Sequence, residues 1–166
     1  MPISYFCSIM QEERLTPSQV LPKIKYYCSY QERCHSEVRE KLYAYGLYKN
    51  DVEEIISLLI NDNFLNEERF ALLFAGGKFR IKQWGKAKIK YQLKQKHVSE
   101  YCIKKALAGI SQEDYINTLQ KLALTKWKGL RNERNIFIKR KKLQDHLKMK
   151  GYESDLINDM IHDIIK

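Results

Sequence analysis

Glycine and proline are both scarce in this chain, with 7 and 3 among 166 residues. A β-sandwich or a β-barrel turns about every ten residues and relies on these two residue types to do so. The scarcity therefore argues against an all-β fold and against linker-rich or collagen-like sequence. The apolar fraction of 44% is high enough for a packed core, so we expect a folded chain rather than a disordered one.

Long apolar runs and cysteine frameworks are also missing. No run approaches the roughly 18 residues that a membrane span needs, and Met1 to Gln19 lacks the basic and apolar regions of a signal peptide. The cysteines form no CxxC pair and no zinc-ligand spacing with histidine. We therefore expect a cytoplasmic protein without membrane contact or metal, and reduced, buried thiols. The cysteines are Cys7, Cys28, Cys34 and Cys102.

The short motifs that carry catalysis are absent as well. The chain has no GxxxxGK[ST] phosphate loop, no GxSxG nucleophile turn and no HExxH zinc motif. We predict neither catalytic residues nor a cofactor, and expect that the protein is not an enzyme.

The charge is unevenly distributed along the chain. Residues 1–77 carry 8 basic and 11 acidic side chains, whereas residues 78–166 carry 22 basic and 9 acidic ones. Two segments, Lys78 to Lys105 and Lys121 to Lys150, hold ten and eleven basic residues against one and two acids. Such blocks favour a polyanionic partner or an acidic protein surface. A solvated lysine-rich helix face is the alternative.

Apolar residues recur at spacings of three and four throughout, and no alternation at period two is sustained. This pattern predicts an all-α fold. Offsets of 51 and then 54 residues superpose a helix–turn–helix on itself three times without a gap. The matched core positions include Val38, Ile89 and Leu143; Leu42, Leu93 and Leu147; and, at the turn, Gly46, His97 and Gly151.

A further helix precedes each helix–turn–helix, so the sequence predicts three tandem three-helix repeats. One such unit buries little surface alone, and stacking three of them gives an elongated, curved array. We predict repeats over 20–62, 63–110 and 111–166, after an N-terminal extension over 1–19. Capping residues are predicted at the helix starts, and the adjacent glycines Gly76 and Gly77 are expected to weaken one helix end. The predicted caps are Ser36, Asn50, Asn66, Ser99 and Ser111.

The candidate binding residues form two basic clusters. Lys86, Lys90 and Lys94 follow one another at spacings of four along one helical stripe, and no acid occurs between residues 78 and 96. Unpaired like charges at this spacing repel each other, and a phosphate backbone or an acidic groove would relieve the repulsion. The predicted partner-binding or DNA-binding residues are Lys78, Arg80, Lys82, Lys86, Lys88, Lys90, Lys94, Lys96, Lys126, Lys128, Arg131, Arg134, Lys139, Arg140, Lys141 and Lys142.

Aromatic residues are numerous, and six tyrosines fall in the first repeat. Stacking on exposed bases is one role for them, but their helical spacing favours packing in the core and between repeats. Trp127, beside Lys126 and Lys128, is a better stacking candidate. The six tyrosines are Tyr26, Tyr27, Tyr30, Tyr43, Tyr45 and Tyr48.

The order and spacing of several short motifs resemble the RecX family of regulatory proteins. The middle repeat is similar in Glu68 to Ala71, in Trp84-Gly85, and in Ile89 and Leu93 followed by Val98-Ser99. The first repeat resembles the opening of the family at Cys34 to Leu42 and Gly46-Leu47. The third resembles its close at Lys142-Leu143, Leu147 and Lys150 to Tyr152. The resemblance covers about residues 22–166.

The resemblance implies an all-helical regulator of the RecA recombinase, which binds the groove of the RecA filament on single-stranded DNA. Such proteins inhibit ATP hydrolysis, strand exchange and coprotease activity, and so modulate recombination, DNA repair and the SOS response. Some also bind DNA directly, so the partners implied are the RecA filament and single-stranded or double-stranded DNA, and we expect a monomer. The alternative is a sequence-tolerant DNA-binding protein that acts without RecA.

One position departs from the family pattern. His97 stands at the middle turn, where the family usually has glycine. A residue with a side chain must either adopt a positive φ at some cost or close the turn differently.

Overall fold

A computed structural model describes residues 15–165. In that range the chain forms nine α-helices and no β-strand, which confirms the predicted all-α fold. Cys7 and most of the N-terminal extension predicted over 1–19 lie outside the described residues. The helices are α1 (Pro17–Tyr30), α2 (His35–Ala44), α3 (Lys49–Asn61), α4 (Glu67–Lys82), α5 (Lys86–Gln95), α6 (Glu100–Ala108), α7 (Gln112–Gly129), α8 (Ile136–Lys150) and α9 (Ser154–Ile165).

The helices pack in three groups of three, in which every helix contacts the other two. We call α1–α3 repeat 1, α4–α6 repeat 2 and α7–α9 repeat 3. The domain limits at 62/63 and 110/111 remain predictions. Repeat 1 has a hydrophobic core of its own, around Val38 and Leu42. Repeats 2 and 3 share one continuous core, to which repeat 1 contributes Cys34.

The turn after the second helix is built in the same way in all three repeats. Gly46, His97 and Gly151 have φ angles of 82°, 57° and 91°. The residue after each of them donates its N–H to the carbonyl five residues back, at 3.1 to 3.4 Å, which is the Schellman pattern of helix termination. His97 therefore adopts the left-handed conformation that glycine takes in the other two repeats, so the turn predicted from the alignment is confirmed.

Three of the five predicted helix caps are confirmed. The side chains of Asn66, Ser99 and Ser111 each accept a hydrogen bond from the backbone N–H three residues on. These bonds satisfy a donor that the first turn of a helix leaves without a partner.

The other two predicted caps, Ser36 and Asn50, are wrong. Helix α2 begins at His35 after the N-cap residue Cys34, whose backbone N–H donates to the Glu37 carboxylate. Helix α3 begins at Lys49 after the N-cap residue Tyr48, directly after the Schellman turn and two residues earlier than a cap at Asn50 predicts.

The low helix propensity of two adjacent glycines predicted a weakened end of α4. The structure shows no early end of this helix. Helix α4 continues through Gly76 and Gly77 to Lys82 and ends with Gln83 at a φ of 53°. Ala75 and Phe79 are buried in the shared core on either side of the glycines. This packing holds the backbone helical where intrinsic propensity is low.

Candidate functional site

Two equivalent contacts join the repeats. In each, the turn that ends the second helix of one repeat packs on the start of the second helix of the repeat before it. At the first junction, between repeats 1 and 2, Ser36 Oγ donates to the Lys96 carbonyl at 3.0 Å. At the second junction, between repeats 2 and 3, Gly85 N donates to the Lys150 carbonyl at 2.8 Å. Lys96 and Lys150 are equivalent residues in the repeat alignment.

The second junction is a close approach of two backbones. A Cβ on Gly85 would lie 2.1 Å from the carbonyl oxygen of Gly151, and a Cβ on Gly151 would lie 2.2 Å from the Lys88 Cβ. Ala87 N also donates to the Gly151 carbonyl at 3.1 Å. Only glycine at both positions permits this geometry.

Two tyrosines of repeat 3, Tyr115 and Tyr152, are buried at the second junction. Tyr115 Oη accepts from Lys86 N at 2.9 Å and donates to the Glu153 carboxylate at 2.7 Å. Burial raises the pKa of Tyr115 far above its ordinary value and the pKa of Tyr152 to about 12. Both hydroxyls therefore stay protonated and can act as hydrogen-bond donors at neutral pH.

The first junction is charged. The Glu37 carboxylate accepts from Lys96 Nζ at 2.6 Å, and Arg69 Nε donates to Glu32 Oε1 at 2.6 Å. Burial by itself raises the pKa of Glu37. The hydrogen bonds from Lys96 and from Cys34 N outweigh that effect and hold the pKa below its ordinary value. Lys96, a predicted binding residue, is therefore engaged inside the protein.

The lysine stripe predicted on α5 is partly neutralised. Lys90 Nζ and Lys94 Nζ both lie near the Glu100 carboxylate, at 2.7 and 3.3 Å. The prediction that these lysines are unpaired is therefore wrong. The turn between α5 and α6 reverses the chain and brings Glu100, which lies beyond the acid-free stretch, back alongside α5. Lys86 Nζ donates to Gln112 Oε1 at 3.2 Å.

Two of the remaining predicted residues of α4 and α5 lie beside Trp84. Lys78 Nζ and Lys88 Nζ are 5.3 and 4.8 Å from the centre of the Trp84 ring, which is the range of cation–π contacts. Arg80 and Lys82 are exposed on α4. Lys78 of α4 and Lys88 of α5 are thus held against the same ring within repeat 2.

The predicted cluster on α8 is partly engaged in the same way. Lys142 Nζ lies 2.7 Å from Glu133, and Lys141 Nζ lies 3.3 Å from Asp145. Lys139 Nζ lies 4.1 Å from the centre of the Trp127 ring. One face of the predicted stacking residue is thus already covered by a cation of the same repeat.

Four predicted cations at the end of the α7–α8 hairpin have no such partner. They are exposed and form no ion pair within residues 15–165. We call this set the hairpin cations. They are Lys128, Arg131, Arg134 and Arg140.

The structure also forms a basic cleft that the sequence did not reveal. It lies between α7 and α8 beside the end of α4, with a volume of about 480 Å³. Its polar lining consists of Gln83, Lys121, Thr125, Lys126 and His146. We call it the junction cleft. The predicted binding set contains Lys126 but not the other four, because the spacing of one helix does not show which residues of a neighbouring repeat face it.

Four of the six tyrosines of repeat 1 are not the core residues that their spacing suggested. Tyr26 and Tyr30 are 74% and 77% exposed, and Tyr43 and Tyr48 are exposed as well. Tyr27 and Tyr45 are half-buried against the core. On α1, Val20, Ile24 and Cys28 already fill the inner face, so that Tyr26 and Tyr30 fall on the outer face.

None of the helices in the described part of the chain is long and apolar enough to cross a membrane. Residues 15–165 contain no group of three or more histidine, cysteine, aspartate or glutamate side chains placed to hold a metal ion.

Known proteins similar to this chain share its repeat structure. The family model of the second three-helix domain of RecX matches residues 66–107, and that of the third three-helix domain matches residues 112–161. The regulatory protein RecX of Clostridium perfringens (strain 13) is 33% identical over 130 residues. That match covers 78% of this chain and 60% of the relative, so the chain spans about 60% of that relative's length.

The match to RecX of Prosthecochloris aestuarii is 29% identical over 141 residues and covers 89% of that protein and 84% of this chain. A crystal structure of a regulatory protein RecX superposes with a TM-score of 0.76 at 26% identity, over 89% of this chain and 73% of that one. The crystal structure of RecX from Lactobacillus salivarius has the same fold, with a TM-score of 0.79 at 23% identity, over 89% of this chain and 95% of that one. This chain belongs to the RecX family of regulatory proteins.

Proposed function

We propose that this protein is a regulator rather than an enzyme, and that it binds the RecA nucleoprotein filament and lowers its ATPase, strand-exchange and coprotease activities. Family membership supports this proposal. The structural observation that carries it is the set of hairpin cations, which are exposed and have no carboxylate partner in residues 15–165. A filament of protein on single-stranded DNA presents the phosphates and carboxylates that such cations bind.

Two cations of repeat 1, unlike the hairpin cations, are paired with carboxylates of the same repeat. Lys25 lies 2.7 Å from Asp62 and Arg39 lies 3.0 Å from Glu53. These cations are balanced within the repeat, whereas the hairpin cations are not. Electrostatic attraction to a polyanion should therefore act mainly on repeat 3.

The test is ATP hydrolysis by a bacterial RecA on single-stranded DNA, with DNA in excess and this protein titrated in. We expect inhibition below one protein per RecA monomer, a ratio at which competition for DNA cannot act. The double variant Arg131→Glu/Arg134→Glu should need several-fold more protein for the same inhibition. Wild-type protein without effect up to an equimolar ratio contradicts the proposal.

A matched control changes the same charge elsewhere. Lys23→Glu/Lys49→Glu reverses two exposed lysines of repeat 1 and should inhibit like the wild type. A third variant, Lys86→Glu/Lys90→Glu, tests the α5 stripe and should have a smaller effect than the hairpin variant, because Glu100 already neutralises part of the stripe. Equal losses in all three variants would show that only net charge matters.

Direct DNA binding without RecA is the second candidate, and the same hairpin cations favour it. The salt dependence of the affinity for bare single-stranded DNA separates the two candidates. A plain DNA-binding protein loses affinity steeply with salt, in proportion to the phosphates that it neutralises. Binding that requires assembled RecA is absent on bare DNA at the same ionic strength.

A further inference from the structure

The second junction lacks the carboxylates that balance the cations of the first junction. Lys96 at the first junction and Lys150 at the second are equivalent in the repeat alignment. At the first junction the Glu37 carboxylate lies 2.6 Å from Lys96 Nζ. The residue equivalent to Glu37 at the second junction is Lys88, whose Nζ donates to the Met149 carbonyl at 3.0 Å. A negative charge of the first junction is thus replaced by a positive one.

The second carboxylate of the first junction is lost in the same way. Glu32 stands two residues before the N-cap of α2 and pairs with Arg69 at 2.6 Å. The residue two positions before the N-cap of α5 is Gln83, which lines the junction cleft. Both acids that balance the first junction are therefore replaced by uncharged or basic residues at the second.

The second junction nevertheless has several cations. Lys126 and His146 are half-buried in the cleft, and Lys150 stands beside them on α8. Lys126 and Lys150 form no ion pair within the described residues; Lys150 Nζ donates only to the Lys82 carbonyl, at 3.2 Å. Burial lowers the pKa of His146, and the positive charges of Lys126 on α7 and Lys150 on α8 lower it further. The electrostatic potential in the cleft is thus positive and is not balanced by a neighbouring acid.

We propose that the junction cleft binds a phosphate group, held between the ammonium groups of Lys121 and Lys126 and the imidazole of His146. Gln83 and Thr125 supply the uncharged donors of the site, as a side-chain amide and a hydroxyl. The phosphate group supplies the negative charge that Glu32 and Glu37 supply at the first junction. It comes either from a nucleic-acid backbone or from a free phosphate compound. Only the choice between these sources rests on the proposed function.

The readout is the titration of His146 in the full chain, followed by NMR of the imidazole protons and assigned with His146→Gln. Inorganic phosphate and a short single-stranded oligonucleotide are the two probes, and chloride at matched ionic strength is the reference. We expect bound phosphate to raise the pKa of His146 by about one unit, as a nearby opposite charge does. The imidazole signals of His162, which lies on α9 outside the cleft, should not respond.

A matched pair of variants tests whether the effect belongs to the cleft. Lys126→Gln removes a cation that lines it, and Lys104→Gln removes an exposed lysine of α6 that lies outside both the cleft and the predicted binding set. The first should weaken the response to phosphate about tenfold and the second should leave it unchanged. Retained far-ultraviolet circular dichroism shows that both variants are folded.

Each outcome decides the matter. A response to both probes, or to the oligonucleotide alone, supports the site and identifies its ligand as any phosphate or as a nucleic-acid phosphodiester. A response to inorganic phosphate alone supports the site and identifies its ligand as a free phosphate compound. No response to either probe, or equal responses in Lys126→Gln and Lys104→Gln, overturns the site. Because this readout contains no RecA, a failure of ATPase inhibition overturns the proposed function and leaves the phosphate site standing.

Discussion

The first and second junctions occupy equivalent places in the fold but are made of different interactions. At the second junction Gly85 and Gly151 bring two backbones into hydrogen-bonding contact. Their equivalents at the first junction are Cys34 and His97, whose side chains forbid that approach. Side-chain contacts replace the backbone ones, chiefly the Glu37–Lys96 ion pair.

The difference shows in how completely polar groups are satisfied. Near the first junction, buried polar atoms of Glu32, Arg33 and His35 have no hydrogen-bond partner in the described part of the chain. Each such atom costs free energy because it has given up water without a replacement. The cores follow the same division, since repeat 1 is packed separately while repeats 2 and 3 share one. A repeated helix pattern therefore does not imply a repeated interface.

The largest effect is expected from a side chain at the close backbone contact. Gly85→Ala places a Cβ 2.1 Å from the Gly151 carbonyl oxygen, and the two repeats must move apart to admit it. Overpacking of this kind should cost about 3 kcal/mol in the free energy of unfolding, measured with urea. Gly77→Ala is the control, because its Cβ meets no atom within 4 Å, and it should stabilise α4 by about 0.5–1 kcal/mol. A loss under about 1 kcal/mol for Gly85→Ala would show that the junction adapts easily.

The next largest effect is expected when the second junction is given an acid of the first junction. Lys88→Glu places a carboxylate at the position equivalent to Glu37, within reach of the Lys150 ammonium. That carboxylate neutralises Lys150, one of the two lysines whose positive charge acts on His146 in the cleft. We expect phosphate binding, followed through His146, to weaken about tenfold, which is 1.4 kcal/mol. An unchanged response would separate the cleft from Lys150 and contradict the comparison of the junctions.

Breaking the ion pair of the first junction should lower the stability of repeat 1 more than that of the other repeats. Glu37→Gln removes the charge that pairs with Lys96, at a site where both side chains are about a quarter exposed. We expect a loss of about 1 kcal/mol, seen by hydrogen exchange as lower protection of α1–α3 with little change in α7–α9. Equal loss of protection in all nine helices would show that the array unfolds as one unit.

The same pair predicts how stability depends on pH. The pKa of Glu37 is held below the 4.5 of an unperturbed glutamate, so its ionised form is favoured in the folded state. That contribution is present above pH 4.5 and is lost as the pH falls through the folded-state pKa. The difference in unfolding free energy between wild type and Glu37→Gln should therefore shrink as the pH is lowered from about 6 to about 3. A difference independent of pH would assign the effect to packing.

Much of the fold could be read from the sequence, because helix period and turn position are local properties. The turns at Gly46 and Gly151 and the caps at Asn66, Ser99 and Ser111 depend on a few neighbouring residues and were predicted. The end of α4 was not predicted correctly, because the packing of buried side chains outweighs the low helix propensity of the two glycines. Ser36 is a different failure: its hydroxyl serves the neighbouring repeat instead of its own helix.

The candidate site was less predictable for a related reason. The sequence identifies cations but not the acids that fold back to them. Glu100 neutralises two lysines across the turn at His97, and the spacing along α5 does not show this pairing. His146 is not part of a recognisable sequence motif. It becomes a candidate only when α7 and the end of α4 are placed beside it.

The smallest predicted effect sharpens the comparison at the middle turn. His97 is exposed and adopts a φ of 57°, which costs a residue with a Cβ about 1 kcal/mol. Glycine removes that strain but has more backbone freedom to lose on folding, so we expect His97→Gly to raise the free energy of unfolding by only about 0.5 kcal/mol. His97→Ala, which keeps the Cβ, should give no gain. If His97→Gly instead destabilises the protein, the imidazole must contribute a contact to the first junction, and the strain at this turn is then compensated there.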